Sequence, residues 1–552
     1  MKAGLAGGAL AAAGPLLSPS SPQAEAVVTP SQPFDLEEMT ISNMKAGFRS
    51  GELTSRGVTE QYLVRIEELN TRGPELRAVI EVNPDALEIA AALDVELKEK
   101  GPRGPLHGVP ILLKDNIATA DRTTTTAGSL ALEGSIPSRD AFLVERLRAA
   151  GAVLLGKANL SEWANFRSSR STSGWSSRGG QCRNPYALDR NPSGSSSGSA
   201  VAASANLCAA AVGTETDGSI VSPASICGIV GIKPTVGLVS RSGVIPIAHS
   251  QDTAGPMART VADAAILLAA MMGVDERDEA TRASQGKTLD LPQILDRHGL
   301  KGATIGVYLP GSLDDNPLTN SVLAEAVAVM KRGGATIVEG VKIPTAGKFG
   351  ESEFEVLLYE FKADLNRYLS DPGSKAPIRS LQEAIEFNER HRDRVMPYFG
   401  QETFLESQKK GPLTDAAYKK ALETCRNLSR KEGLDAVFAK HKLDALVAPS
   451  NGPAWLIDLV NGDSPSGGSS GFPAVSGYPN ITVPMGFAFG LPLGISFMGR
   501  AWSEPTLIKL AYAFEQATLA RKPPRFLPTA ALTSRPPLPT PPSHPHRERR
   551  RS

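Results

Sequence analysis

Gly194-Ser-Ser-Ser-Gly-Ser199, answered by Gly213-Thr-Glu-Thr-Asp-Gly-Ser219, is the stretch that decides how this chain is read. Both runs are stripped of bulk, and each carries a serine, Ser195 and Ser219, 24 positions apart. Gly/Ser composition by itself is a linker signature. These runs sit in a different context: the first passes straight into Ala200-Val-Ala-Ala-Ser-Ala205, a good helix former, and then into the apolar run 209–213. A tight loop held between core elements fits that setting, and glycine there permits unusual backbone angles and close approach. In the turn Thr216-Asp217-Gly218-Ser219, consecutive N–H groups can converge on a developing oxyanion.

Upstream, Lys114 follows the apolar run Val109-Pro-Ile-Leu-Leu113 and is flanked beyond by Ile117. A surface lysine paired with Asp115 is the plain alternative, but the apolar neighbours predict burial, and a buried lysine needs a reason. A hydroxyl nucleophile needs a base, and a lysine serves only when it has lost its proton. Burial beside apolar residues and neutral hydroxyls achieves that. Lys114, Ser195 and Ser219 are therefore a candidate catalytic relay with no histidine in it.

The 552 residues, 41% hydrophobic and 21% charged, have the balance of a globular enzyme. The net charge of +1 owes part of its sign to Arg547, Arg549, Arg550 and Arg551 at the end of the chain. The body is near neutral, which argues against nucleic acid as the main partner. Cys182, Cys208, Cys227 and Cys425 show no C-x-x-C spacing, so buried free thiols are expected, with a single bridge left open. No zinc-type histidine spacing occurs.

Met1-Lys2 precedes an Ala/Leu/Gly segment, a Pro/Ser stretch and Ala24-Glu-Ala26, the pattern of a secretory signal peptide too short to span a bilayer. Lys2-Ala-Gly-Leu5 would also suit the part that follows a twin-arginine pair. Export, to the periplasm or beyond, is the expectation. Residues 27–528 read as one body, and the Pro/Arg-rich 529–552 cannot bury a core.

Within the body, Val58, Tyr62, Leu63, Ile66 and Leu69 keep one-face helical spacing. Asn83-Pro84 predicts a helix start, with its end near Gly101. Short apolar runs at 152–155, 209–213, 228–232, 304–308, 336–338, 444–447, 481–483 and 494–498 read as strands buried on both faces. Helical stretches such as 318–332 and 504–519 alternate with them. That is the signature of an α/β fold built on an internal sheet. Residues 345–440 are more charged and helical in character, and read as an insertion that shapes the pocket.

Two other motifs fail. Gly151-Ala-Val-Leu-Leu-Gly156-Lys157 follows a phosphate-loop pattern up to Ala158, which lacks the metal-binding hydroxyl, so Lys157 reads as a strand-end lysine. His107 and His249 are candidate bases for a conventional triad, but no G-x-S-x-G elbow accompanies them, and both are left out.

Pro110-Ile-Leu-Leu-Lys-Asp-Asn116, Pro192-Ser-Gly-Ser-Ser-Ser-Gly-Ser-Ala200, Gly213-Thr-Glu-Thr-Asp-Gly-Ser-Ile220, Gly228-Ile-Val-Gly-Ile-Lys-Pro-Thr235 and the run 251–263 together resemble the amidase signature family. The resemblance spans roughly 35–525. Within the family, Asn159-Leu-Ser-Glu-Trp-Ala-Asn-Phe166 and Gly174-Trp-Ser-Ser-Arg-Gly-Gly-Gln181 are most similar to bacterial peptide amidases. It implies a single large α/β domain, a mixed central sheet with helices on both faces. It implies Ser219 as nucleophile, Ser195 as bridging serine after a cis peptide, Lys114 as base and Ser196 as a residue helping to hold the lysine. It also implies an oxyanion hole in the backbone of Thr216, Asp217, Gly218 and Ser219.

Asp217, Ser193 and Ser197 stand where the commonest family pattern has glycine, and Asp217 narrows the space beside the nucleophile. The expected activity is hydrolysis of C-terminal amides of peptides or amino acid amides, without metal or organic cofactor and without nucleic-acid or membrane partners. The alternatives are a small aliphatic or aryl amidase, the glutaminase subunit of a tRNA-dependent amidotransferase, and a non-catalytic binding protein on the same fold. Oligomeric state is left open.

Overall fold

The computed structural model describes residues 34–313, 316–465 and 467–532. The leader expected over 1–26 lies outside the described residues, as does 533–552 of the expected tail. Of that tail's first residues, Ala530 is buried and the Ala531 N–H donates to the Phe489 carbonyl.

In chain order, the strands are β1 (Val79–Val82), β2 (Pro110–Lys114), β3 (Val153–Ala158), β4 (Trp175–Ser176), β5 (Gly180–Gln181), β6 (Ala210–Glu215) and β7 (Val230–Lys233). There follow β8 (Thr253–Ala258), β9 (Thr304–Tyr308), β10 (Thr336–Val341), β11 (Ala445–Pro449), β12 (Asn480–Ala488) and β13 (Leu491–Met498). Eleven of them make one sheet in the order β1-β3-β2-β6-β8-β7-β12-β13-β11-β9-β10, and β4 pairs with β5 apart from it. Strands β2, β3, β6, β7, β8, β11 and β13 are buried at every position, as unbroken apolar runs predict. By contrast, β9 and β10, over the runs 304–308 and 336–338, lie at one end of the sheet and are partly exposed, against that expectation. The sheet is mixed: β3, β2 and β6 run parallel, as do β11, β9 and β10, while the pairs from β6 across to β11 are antiparallel. Helices flank it. The helix Val261–Met271, apolar nearly all round, is almost wholly buried, and the small-residue helix Ser197–Ser204 is buried at every position.

Each apolar run read from the sequence falls on a strand. Strands β1, β4, β5 and β8 fall outside those runs; in β8, Gly255 and Pro256 are poor strand residues. The proline is tolerated because the ladder to β7 covers only Met257 and Ala258, leaving Pro256 outside that pairing. The helix expected from Asn83 starts later, at Ala86, with Asp85 at its N-cap. Asn83 Oδ1 accepts from the Asp85 N–H (3.0 Å) ahead of the helix, while its backbone N–H and Nδ2 tie it to β3 by donating to the carbonyls of Leu155 and Leu154. Between β10 and β11 the chain holds helices at Gly350–Ser370, Leu381–Arg390, Glu402–Gln408, Ala416–Arg426 and Asp435–His441. The segment Gly151–Ala158 forms β3 and no phosphate cradle, and Lys157 is buried with Nζ donating to Ile117 O (2.7 Å) and Thr125 Oγ1 (2.8 Å). All four cysteines are free and buried. Among the described residues no helix is long and apolar enough to cross a membrane.

Phe514, fully buried in the C-terminal helix, packs its ring 5.8 Å from that of Phe497 on β13. Phe514→Ala is expected to cost about 3–5 kcal/mol, read as a lower midpoint in denaturant unfolding. A shift below about 1 kcal/mol would show that the site collapses around the missing ring.

Candidate active site

Parallel pairing of β2 with β6 sets Lys114, the last residue of β2, beside Thr214 near the end of β6. Lys114 is completely buried. Its Nζ lies 2.8 Å from Ser195 Oγ, 2.8 Å from Thr214 Oγ1 and 3.2 Å from Thr214 O. Every one of these partners is uncharged. Loss of water therefore dominates, and the ammonium is pushed down to about 7, with the more remote Asp252 and Glu215 pulling the other way.

Ser195 arrives on a loop whose shape leaves no room for side chains. The Gly194–Ser195 peptide is cis, and a Cβ on Gly194 would stand 2.2 Å from Ser161 Oγ. The Ser196 N–H donates to Ser219 O (3.1 Å), which joins the two serine loops directly. Ser196 does not touch the lysine. Its Oγ donates to Thr214 O (2.9 Å) and accepts from Thr214 N (3.1 Å), so it holds Thr214, and Thr214 holds Nζ.

Ser219 closes the turn after β6 and is nearly buried, with 9% of its surface exposed. Gly218 has φ +78°, a left-handed conformation that favours glycine. The backbone N–H groups of Asp217, Gly218 and Ser219 have no acceptor among the described residues. The turn is fixed from three sides. Glu215 Oε2 accepts from the N–H groups of Ile220 (2.7 Å) and Val221 (3.0 Å). Thr216 Oγ1 donates to Asp252 Oδ1 (2.6 Å), and Gln251 Nε2 donates to Thr216 O (3.3 Å). Burial raises Asp252 to about 6, against the pull of these hydrogen bonds.

Lys114, Ser195, Ser196, Thr216, Asp217, Gly218 and Ser219 are thus brought together at the ends of β2 and β6. Thr214, Asn116, Glu215 and Gln251 complete the site and were absent from the candidates read from sequence. Asn116 Nδ2 donates to Thr214 Oγ1 (3.0 Å). The available signal was position: Thr214 and Glu215 lie inside the Gly213–Ser219 run, but their strand placement hid which way they point. The two histidines stand elsewhere. His107 Nε2 is 2.9 Å from Leu93 O while Nδ1 accepts from Arg103 N (3.0 Å). His249 Nδ1 meets Asp364 (2.7 Å) on the helix Gly350–Ser370. His249, Glu360 and Asp364 cluster closely enough for a metal. Both carboxylates, however, are already engaged by backbone N–H groups, those of His249 (3.0 Å) and Ser250 (2.9 Å).

With that geometry in place, comparison with known proteins gives the class. The Amidase family profile matches residues 57–508, and the chain belongs to the amidase signature family. It is a hydrolase acting on amide C–N bonds. The crystal structure of a peptide amidase from Stenotrophomonas maltophilia is 53% identical with a TM-score of 0.86, covering 90% of this chain and 100% of that one. A protein of Arabidopsis thaliana named "Probable amidase" is 45% identical over 507 residues, 90% of this chain and 93% of the relative. A glutamyl-tRNA(Gln) amidotransferase subunit from Bdellovibrio bacteriovorus is 34% identical over 503 residues, 88% and 99% of the two chains.

A buried amine without a counter-ion carries a stability cost. Depression from the ordinary 10.5 to about 7, at about 1.4 kcal/mol for each tenfold change in proton affinity, is on the order of 5 kcal/mol. The unfolded chain binds the extra proton between those two values, so the cost is full below about 7 and vanishes as pH rises toward 10.5. Lys114→Met is therefore expected to be more stable than wild type at pH 6, with the gap closing toward pH 10, as followed by urea unfolding. A variant less stable than wild type at pH 6 would contradict the depressed amine.

Proposed function

We propose that the chain hydrolyses C-terminal amides of peptides or amino acid amides through a Ser219–Ser195–Lys114 relay and an acyl-enzyme. The observation that carries this reading is the set of neutral partners around Lys114 Nζ. An uncharged amine has two N–H groups and one lone pair. Thr214 O can only accept, so one N–H goes there, and Thr214 Oγ1 takes the second. The lone pair is left for the Ser195 hydroxyl at 2.8 Å. Ser219 Oγ attacks the amide carbonyl carbon, its proton passes to Ser195 Oγ, and Ser195 gives its own proton to Nζ. The oxyanion is received by the free N–H groups of Asp217, Gly218 and Ser219. The C–N bond then breaks as the relay returns the proton to the departing nitrogen. Ammonia leaves, and water hydrolyses the ester on Ser219.

Peptide amides are favoured over small aliphatic or aryl amides by the 53% identity to a peptide amidase along nearly the whole chain. The 34% identity to an amidotransferase component supports a second reading as a glutaminase subunit, which requires partner proteins to act. Ammonia release from peptide amides by the purified chain alone separates the two. Residues 1–26 are proposed as an export leader, and mass spectrometry of the mature protein is expected to find Val27 first; an intact Met1 would refute cleavage.

Ser219→Ala and Lys114→Ala are each expected to lower kcat for ammonia release by about 10⁴ or more, as removal of a relay member does in related chemistry. Undiminished turnover in either variant would overturn the relay. Because the base is the neutral amine, kcat/KM is expected to rise with pH and level off above about 7. A profile flat from pH 5 to 9 would show that Lys114 does not titrate in the reaction.

A further inference from the structure

Asp217 lies two residues before Ser219 and is exposed, while Thr216, Gly218 and Ser219 on either side of it are buried. Its side chain therefore faces the open cleft rather than the core. There its carboxyl interacts with that of Glu353 on the helix Gly350–Ser370. Gln251, itself buried, ties the arrangement to the turn, donating from Nε2 both to Glu353 Oε1 (3.0 Å) and to Thr216 O (3.3 Å). Two interacting carboxyl groups resist ionising together, so the pair favours a single negative charge. Among the described residues no lysine or arginine forms a salt bridge with either; the buried Lys233 attracts Asp217 only from a distance. Crowding by protein raises both carboxyls, and the charge of Asp217 adds to the effect on Glu353.

The geometry points to Asp217 and Glu353 as a specificity-determining pair, which accepts the N–H of an unsubstituted carboxamide at the scissile position and turns away carboxylates. This rests on the reading of Ser219 as nucleophile. A carboxylate oxygen is a strong acceptor for an amide N–H, whereas an ester offers it nothing. The product of amide hydrolysis is an acid, and its negative charge meets the charge already on the pair. One element thus favours the entering amide and the departing acid together. A glycine at position 217, as in the commonest family pattern, would supply neither effect.

The test uses the full chain with N-acetylphenylalanine amide, the methyl ester of the same acid, and the free acid as inhibitor. Asp217→Asn removes the charge at nearly constant volume. It is expected to lower the amide-to-ester ratio of kcat/KM about tenfold, and to strengthen inhibition by the acid about tenfold, the scale of one unscreened charge contact in a cleft. Asp217→Gly, which suits a turn, is expected to do the same and serves if the asparagine variant does not fold. Glu353→Gln donates to Asp217 and preserves the single charge, so its ratio is expected to stay within about threefold of wild type.

Three outcomes would overturn the proposal. One is an Asp217→Asn enzyme with both quantities within about twofold of wild type. Another is a shift in Asp217→Gly but not in Asp217→Asn, which would give residue 217 a purely steric role. The third is collapse of the ratio in Glu353→Gln. Absence of any Ser219-dependent turnover in wild type would instead sink the underlying amidase reading, and is separately visible.

Discussion

An amine sealed from water without a counter-ion is the constraint on which the rest of this structure depends. Left to itself, Lys114 would recruit a carboxylate, and a salt bridge would fix it as an ammonium with no basicity to offer. The fold prevents this by using backbone and hydroxyl groups instead. Thr214 presents its carbonyl and hydroxyl together, and Ser196 holds Thr214 by bonding its N–H and C=O at once. The nearby acids are occupied elsewhere: Glu215 with the N–H groups of Ile220 and Val221, and Asp252 with Thr216, Ile247 and Ala248. They are close enough to temper the lysine and too engaged to neutralise it.

The sheet makes that arrangement reproducible. Lys114 and Thr214 belong to adjacent parallel strands, so their separation is set by strand spacing and register rather than by a flexible loop. The serine loops must then approach those strand ends closely. A Cβ on Gly198 would fall 2.2 Å from Ala78 O, and one on Gly213 would fall 2.8 Å from Ser196 Oγ. The small residues that first draw the eye in the sequence are small because backbone from three directions converges there.

Much of this was legible in the sequence, and the parts that were not share a cause. Burial of Lys114 follows from Val109–Leu113 before it, and the serine loops follow from their composition and their place between apolar runs. The partners of the lysine did not follow. Thr214 is one hydroxyl among several in its run, and only the register of β2 against β6 selects it. Ser196 is expected to help hold the lysine, and it does so through Thr214, a step that spacing does not reveal. Asn83 reads as a helix cap by local rules, and its Oδ1 does accept the Asp85 N–H, but its bonds to β3 hold it outside a helix that starts at Ala86. Glu353 lies 134 positions from Ser219 in a stretch whose pattern says only helix. Local chemistry was readable, and long-range pairing was not.

The two neighbouring acids come from different parts of the chain: Asp217 from the turn that carries Ser219, Glu353 from the helices set between β10 and β11. Lys114, Ser195 and Ser219 are held by strands β2 and β6 and their loops, while Glu353 comes from a segment that contributes no strand to the sheet. The pair therefore has two mutational addresses, one inside the turn and one outside the sheet. A change at 217 disturbs the loop that holds Ser219, whereas a change at 353 leaves β2 and β6 untouched.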